Sequence, residues 1–153
     1  MTADPSERLY LDDLSVGDVF TSDTCTVDEA AIIAFAREFD PQPFHLDPEA
    51  AKQTFFGGLA ASGWHTAALT MRLLVTSGLP LADGVIGAGG ELSWPRPTRP
   101  GDVLRVVATV TEIVPSRSRP ERALVHWMVE TLNQDDEPVQ RLAARLVVSK
   151  RGS

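Results

Sequence analysis

The chain has 153 residues, 43% of them apolar and 23% charged, which suits one globular domain with a real core and argues against disorder. A net charge of −7 argues against nucleic acid as a partner, because phosphate binding needs a basic field. Cys25 is the single cysteine, so no intrachain disulfide can form, and no run reaches the roughly 18 apolar residues of a membrane span.

A reducing, cytoplasmic setting is therefore expected, with no membrane partner. Met1 to Asp13 is polar and acidic, with neither a basic n-region nor an apolar h-region. Residues 1–14 read as a loosely held arm ahead of a single domain over 15–150. Val16 to Phe20 opens a first strand, with Gly17-Asp18 as its turn. Thr26 and Glu29 have the spacing of a capping box and predict a helix from about Val27 to Phe39. Ala30, Ile33 and Ala34 recur at helical spacing within it, and Pro41 and Pro43 end it. Asp47 as N-cap with Pro48 at the first helical position predicts a second, short helix, broken at Phe55-Phe56-Gly57-Gly58.

From Ser62 to about Val75 comes the most apolar helix, with Trp64, Ala67, Ala68, Met71, Leu74 and Val75 assigned to one face. A helix of this kind is expected inside a curved sheet. Four strand-like runs follow, Val85 to Leu92, Val103 to Val114, Ala123 to Asn133 and Val139 to Val148, divided by Pro-rich or acidic turns. Alternation is clearest where Leu104, Val106, Ala108 and Val110 form an aliphatic face opposite Val103, Arg105, Val107 and Thr109. Helices first and an antiparallel meander afterwards make an α+β pattern.

Candidate chemistry gathers in Asp40-Pro41-Gln42-Pro43-Phe44-His45, a carboxylate and an imidazole on a segment stiffened by two prolines. Helix-end carbonyls would raise the proton affinity of Asp40 and a nearby imidazolium would lower it. Such a pair can hold a water between its members; taken alone, it also reads as a helix-end turn residue and a loop histidine. Gly63 places a backbone N–H at a helix N-terminus, where developing negative charge is favoured, although close packing also calls for glycine there. His65 reads as helix wall, His126 as a structural strand residue and Cys25 as a small filler. No His/Cys cluster has metal-ligand spacing, so neither metal nor cofactor is expected.

Phe39-Asp40-Pro41-Gln42-Pro43-Phe44-His45-Leu46-Asp47-Pro48 and Gly57-Gly58-Leu59-Ala60-Ala61-Ser62-Gly63-Trp64-His65-Thr66 together resemble the MaoC-like dehydratase family, which includes the (R)-specific enoyl-CoA hydratases. The likeness continues through Leu92 to Asp102 and spans about residues 15 to 149. The resemblance implies a hot-dog fold, an antiparallel β-sheet wrapped around a central helix. It also implies a homodimer or higher oligomer, and acyl-CoA as ligand. Asp40 and His45 become the catalytic pair, with the division of proton duties between them left open, and the Gly63 N–H becomes the thioester oxyanion donor. Gln42, Ser62, Trp64 and Phe56 are candidates for substrate contact, and Arg96 and Arg99, with Lys52 near the site loop, for the CoA end. Gln42 stands where the hydratases usually carry Asn, and Phe39 where Gly is common, which bears on acyl-chain preference. The implied reaction is reversible addition of water to a trans-2-enoyl thioester. The alternatives are an acyl-CoA thioesterase and a non-catalytic acyl-CoA-binding protein.

Overall fold

In the computed structural model of the chain, residues 8–153 are described. Six strands form one antiparallel sheet, β1 (Val19–Thr21), β2 (Cys25–Thr26), β3 (Gly87–Ser93), β4 (Val103–Pro115), β5 (Arg122–Leu132) and β6 (Pro138–Ser149). The order across it is β1-β4-β5-β6-β3, with β2 also on β4. All four strand runs expected in the second half are present.

Burial follows the period of two. Leu104, Val106, Ala108 and Val110 on β4, and Ala123, Val125, Trp127 and Val129 on β5, all face the core. Gly87 to Gly90 at the free edge are exposed. The β4–β5 ladder shifts register between Val110 and Glu112, where a bulge lets the long strands bend.

Four helices lie in the first half, α1 (Glu29–Phe39), α2 (Pro43–Leu46), α3 (Pro48–Ala51) and α4 (Gly63–Leu73). The Thr26–Glu29 capping box does not form. Thr26 is in β2, paired with Val103, and Asp28 stands at the N-cap without a side-chain cap bond. Asp47 caps α3 as expected, its Oδ1 accepting from the Glu49 N–H at 3.0 Å. The Pro43–Leu46 turn, read as a stiff loop from sequence, is helical, with proline at a first position where no N–H is needed.

α4 is the central helix of a hot-dog fold, and most of the face assigned from apolarity points away from the sheet, buried Leu74 excepted. His65, Thr66, Thr70 and Leu73 are buried, whereas Trp64, Met71 and Val75 are exposed. The buried threonines are satisfied. Thr70 Oγ1 lies 2.6 Å from Thr131 Oγ1, Gln140 Nε2 donates to Thr70 Oγ1 at 3.3 Å, and Thr66 Oγ1 donates to Thr98 Oγ1 at 2.9 Å. A wide turn over Leu74–Gly78 closes the helix.

Of the expected N-terminal arm, residues 1–7 lie outside the described residues. From residue 9 the segment is held: the Leu9 N–H donates to the Pro80 carbonyl at 2.8 Å and Leu14 is buried.

Candidate active site

α1 ends at Asp40, whose backbone N–H donates to the Ala36 carbonyl at 2.9 Å. Pro41 and Pro43 forbid continuation, and the chain turns directly into α2, which carries His45. That reversal brings His45 Nε2 to 3.3 Å from Asp40 Oδ2, although the imidazole is buried and the carboxylate only partly so. On its other edge, His45 Nδ1 lies 2.6 Å from the Ala60 carbonyl. A carbonyl only accepts, so Nδ1 carries a proton and Nε2 is the nitrogen left for chemistry. Phe44 packs edge-on against the ring, at 4.6 Å between centroids.

Burial pushes the Asp40 carboxyl up. Hydrogen bonds from the Ser62 hydroxyl and the Gln42 amide, together with the charge of His45, outweigh it and leave the group below the ordinary aspartate value. The Gln42 bond is short, Nε2 to Oδ1 at 2.6 Å. Gln42 thus reaches back onto the carboxylate. The dominant lowering influences are these donors, a different balance from the helix-end carbonyls weighed from sequence.

Ser62 is fully buried and is the N-cap of α4, its Oγ accepting from the Trp64 N–H at 3.3 Å. Gly63 follows as the first helical residue. Among the described residues its N–H donates to no acceptor, as the first turn of a helix dictates. Its glycine identity has a steric cause: a Cβ there would lie 2.6 Å from Trp94 Cε2 and 2.7 Å from Cζ2.

Beside His45 and Gly63 opens a cavity of about 510 Å³, a size ordinary for small-molecule sites. Phe55, Phe56, Trp94 and Arg96 are among the residues that line it. The structure thus brings Asp40, His45, Gln42, Ser62, Gly63 and Phe56 together.

The other candidates are placed differently. Trp64 is 61% exposed, packs edge-on against Trp94 at 5.3 Å and does not line the cavity. Phe39 is also exposed, against Phe35. Arg96 lines the cavity but is paired with Glu137 at 2.8 Å, and Lys52 is paired with Glu49 at 2.9 Å. The Arg99 guanidinium donates to backbone carbonyls, from Nη2 to Phe56 at 2.6 Å and from Nη1 to Gly58 at 3.0 Å and Leu59 at 3.3 Å.

Two participants escaped the sequence reading. The Ala60 carbonyl has no side-chain signal at all. Trp94 had one, an aromatic in the Pro-rich connection that resembles the family pattern. His65, read as helix wall, is buried and stacked on Phe35 at 4.8 Å. Burial and then the charge of Arg72 lower its pKa, and its Nδ1 has no partner among the described residues. His126 lies on β5, 3.8 Å from Glu112.

The family model for the MaoC like domain matches residues 15–129. The chain belongs to the MaoC-like dehydratase family. It is 66% identical to a MaoC-like dehydratase of Rhodospirillum rubrum whose crystal structure superposes with a TM-score of 0.94, over 95% of this chain and 99% of that one. Against the R-hydratase PhaJ1 of Pseudomonas aeruginosa the identity is 28% and the TM-score 0.77, over 94% of this chain and 88% of the other. It is also 33% identical, over 72% of its length and 69% of the relative's, to the 3-hydroxybutyryl-CoA dehydratase of Methylorubrum extorquens. The fold match over nearly the whole chain agrees with the hot-dog architecture expected from the resemblance.

No helix among the described residues is long and apolar enough to cross a membrane.

Proposed function

We propose that this MaoC-like dehydratase is an (R)-specific enoyl-CoA hydratase, adding water reversibly to a trans-2-enoyl thioester. The observation that carries the reading is the 3.3 Å approach of Asp40 Oδ2 to His45 Nε2, beside a cavity that both His45 and Gly63 line.

The thioester carbonyl would accept from the Gly63 N–H, at the positive end of the α4 dipole. Electron density drawn onto that oxygen makes Cβ electrophilic. A water held between Asp40 and His45 attacks Cβ, loses a proton to the pair, and a proton is delivered to Cα on the same face. In the reverse direction the same groups take the Cα proton and return one to the departing hydroxide. Asp40, held low in pKa, stays a carboxylate at neutral pH and is available as base. His45, with Nδ1 fixed on Ala60, offers Nε2 alone. One proton-transfer edge faces the water.

A homodimer is part of the same proposal. β3 is an edge strand with exposed glycines, and Trp64 and Met71 on α4, with Val75 in the turn that follows it, form an exposed apolar stripe. An unpaired edge and an apolar stripe both suit a second copy of the chain.

The test follows loss of absorbance at the enoyl-thioester band with crotonyl-CoA and longer, branched and dicarboxylic enoyl-CoAs, for wild type and Asp40→Asn. Turnover by wild type and at least about a hundredfold loss in the variant are expected, the scale of general acid–base catalysis. Release of free thiol without hydration would identify a thioesterase. Binding without either reaction would identify an acyl-CoA-binding protein.

A further inference from the structure

We propose that Arg99 is a positioning residue for the catalytic pair, holding the segment Phe56–Gly63 that orients His45 and Asp40. The proposal rests on the hydratase reading for its kinetic consequences, and on geometry alone for its structural one.

The guanidinium grips one short stretch of backbone. Nη2 donates to the Phe56 carbonyl at 2.6 Å, and Nη1 to those of Gly58 at 3.0 Å and Leu59 at 3.3 Å. Arginine suits this task because its planar fork presents several donors in fixed directions. The residue is itself anchored. Its backbone N–H donates to Asp102 Oδ2 at 2.8 Å, and buried Asp102 also accepts from Gln134 Nε2 at 3.1 Å. The adjoining turn closes through Gly101, at φ +86°, whose N–H donates to the Val27 carbonyl at 2.8 Å.

Immediately after the gripped residues comes the second half of the site. Ala60 supplies the carbonyl that accepts from His45 Nδ1, Ser62 the hydroxyl that lowers the Asp40 pKa, and Gly63 an N–H with no acceptor among the described residues. Otherwise this stretch is fastened by backbone bonds, Ala60 N–H to the Phe44 carbonyl at 3.0 Å and Ala61 N–H to the Thr98 carbonyl at 2.9 Å, and by the burial of its small side chains. The loop before it is held only in part: Phe55 is 96% exposed and Gly57 sits at φ +64°, while half-buried Phe56 packs on Phe44 at 5.0 Å. Releasing the three carbonyls frees the lead-in to Ala60, so the His45 ring loses its fixed orientation while every catalytic side chain remains.

The experiment compares full-length wild type, Arg99→Lys and Arg99→Ala by two readouts. In spectra of protein carrying ¹⁵N-histidine, the His45 Nδ1 proton is expected as a downfield, slowly exchanging resonance in wild type. It should weaken in Arg99→Lys and vanish in Arg99→Ala. In kinetics with crotonyl-CoA and with crotonyl-pantetheine, Arg99→Ala is expected to lose about 10- to 100-fold in kcat on both thioesters with little change in KM, the scale of a small misplacement of reacting groups. Added guanidinium should restore part of that loss, which a general loss of folding would not allow. If Arg99→Ala does not fold, Arg99→Lys carries the comparison, with one or two carbonyls released.

An unchanged His45 resonance in the variants overturns the proposal. So does a loss confined to KM with crotonyl-CoA and absent with crotonyl-pantetheine, which would make Arg99 a cation for the CoA phosphates. A wild type that hydrates no enoyl thioester defeats the hydratase reading instead, and the resonance still decides whether Arg99 positions His45.

Discussion

Replacing Gly63 by alanine tests the packing at the heart of the site. The new Cβ would stand 2.6–2.8 Å from three ring atoms of Trp94, well inside van der Waals contact, so the indole must move. Trp94 is 41% exposed and has room to swing outward, but two interactions are lost when it does. Its Nε1 donates to Gln140 Oε1 at 3.0 Å, and Gln140 is buried, so an acceptor is left unpaired at about 1–3 kcal/mol. The edge-to-face contact with Trp64 adds about 0.5–1.5 kcal/mol. Together these predict destabilisation of about 1.5–4.5 kcal/mol for Gly63→Ala, measured by urea unfolding at fixed protein concentration. In a Trp94→Ala background the three clashing ring atoms are gone and the same substitution should cost less than about 0.5 kcal/mol, since the two sites no longer share that contact. Equal costs in the two backgrounds would refute the claim that Trp94 is what requires glycine at position 63.

The Asp40 carboxyl should titrate below its ordinary value of 3.8, and Gln42→Ala, which removes one of the donors that lower it, should move the midpoint upward in a ¹³C NMR titration. An unchanged or lower midpoint would show that the 2.6 Å contact does not act on the carboxylate. For His65 the folded pKa lies below the ordinary 6.5, so the unfolded chain binds the proton more readily and stability falls as pH drops from 6.5 toward the folded value. His65→Phe keeps the stack on Phe35 and removes the titration; its stability relative to wild type should therefore improve as the pH is lowered through that window. A pH-independent difference would place the titrating proton elsewhere.

Much of the fold was legible because strands advertise themselves by alternation. The aliphatic face of Leu104, Val106, Ala108 and Val110 is buried as read. α4 was legible as an element but not as a surface. Its sheet-facing residues are the threonines at 66 and 70, whose hydroxyls are satisfied by Thr98, Thr131 and Gln140, partners far away in sequence. Its apolar residues Trp64, Met71 and Val75 face outward. Hydropathy alone therefore misplaces most of the face, buried Leu74 excepted, because a buried polar network outranks it once every member is paired. The capping box failed for a similar reason, since pairing of Thr26 with Val103 holds that residue in a strand. At the site, residue type and spacing alone left the Asp40–His45 pair and Gly63 open to a turn-residue and close-packing reading, and the family resemblance is what singled them out as candidates. The Ala60 carbonyl and the partners of Arg99 are main-chain atoms, which leave no mark on a sequence, so a guanidinium read as a cation for ligand is engaged on the backbone.

The geometry also explains why a low-pKa aspartate and a histidine make a workable pair. A carboxylate buried alone would take up a proton and lose its charge. Here Gln42 holds Oδ1 and Ser62 adds a second donor, so the charge persists and is presented through Oδ2 toward His45. The histidine is constrained from its opposite edge, where the Ala60 carbonyl keeps a proton on Nδ1. Each group has one polar edge engaged by the scaffold and one left facing the other. In the proposed reaction, proton exchange with a bound water would be confined to Oδ2 and Nε2, and the Gly63 N–H, which has no acceptor among the described residues, would receive the developing oxyanion. Ser62 ties the halves together, capping the helix that presents this N–H while lowering the pKa of the carboxylate proposed as base.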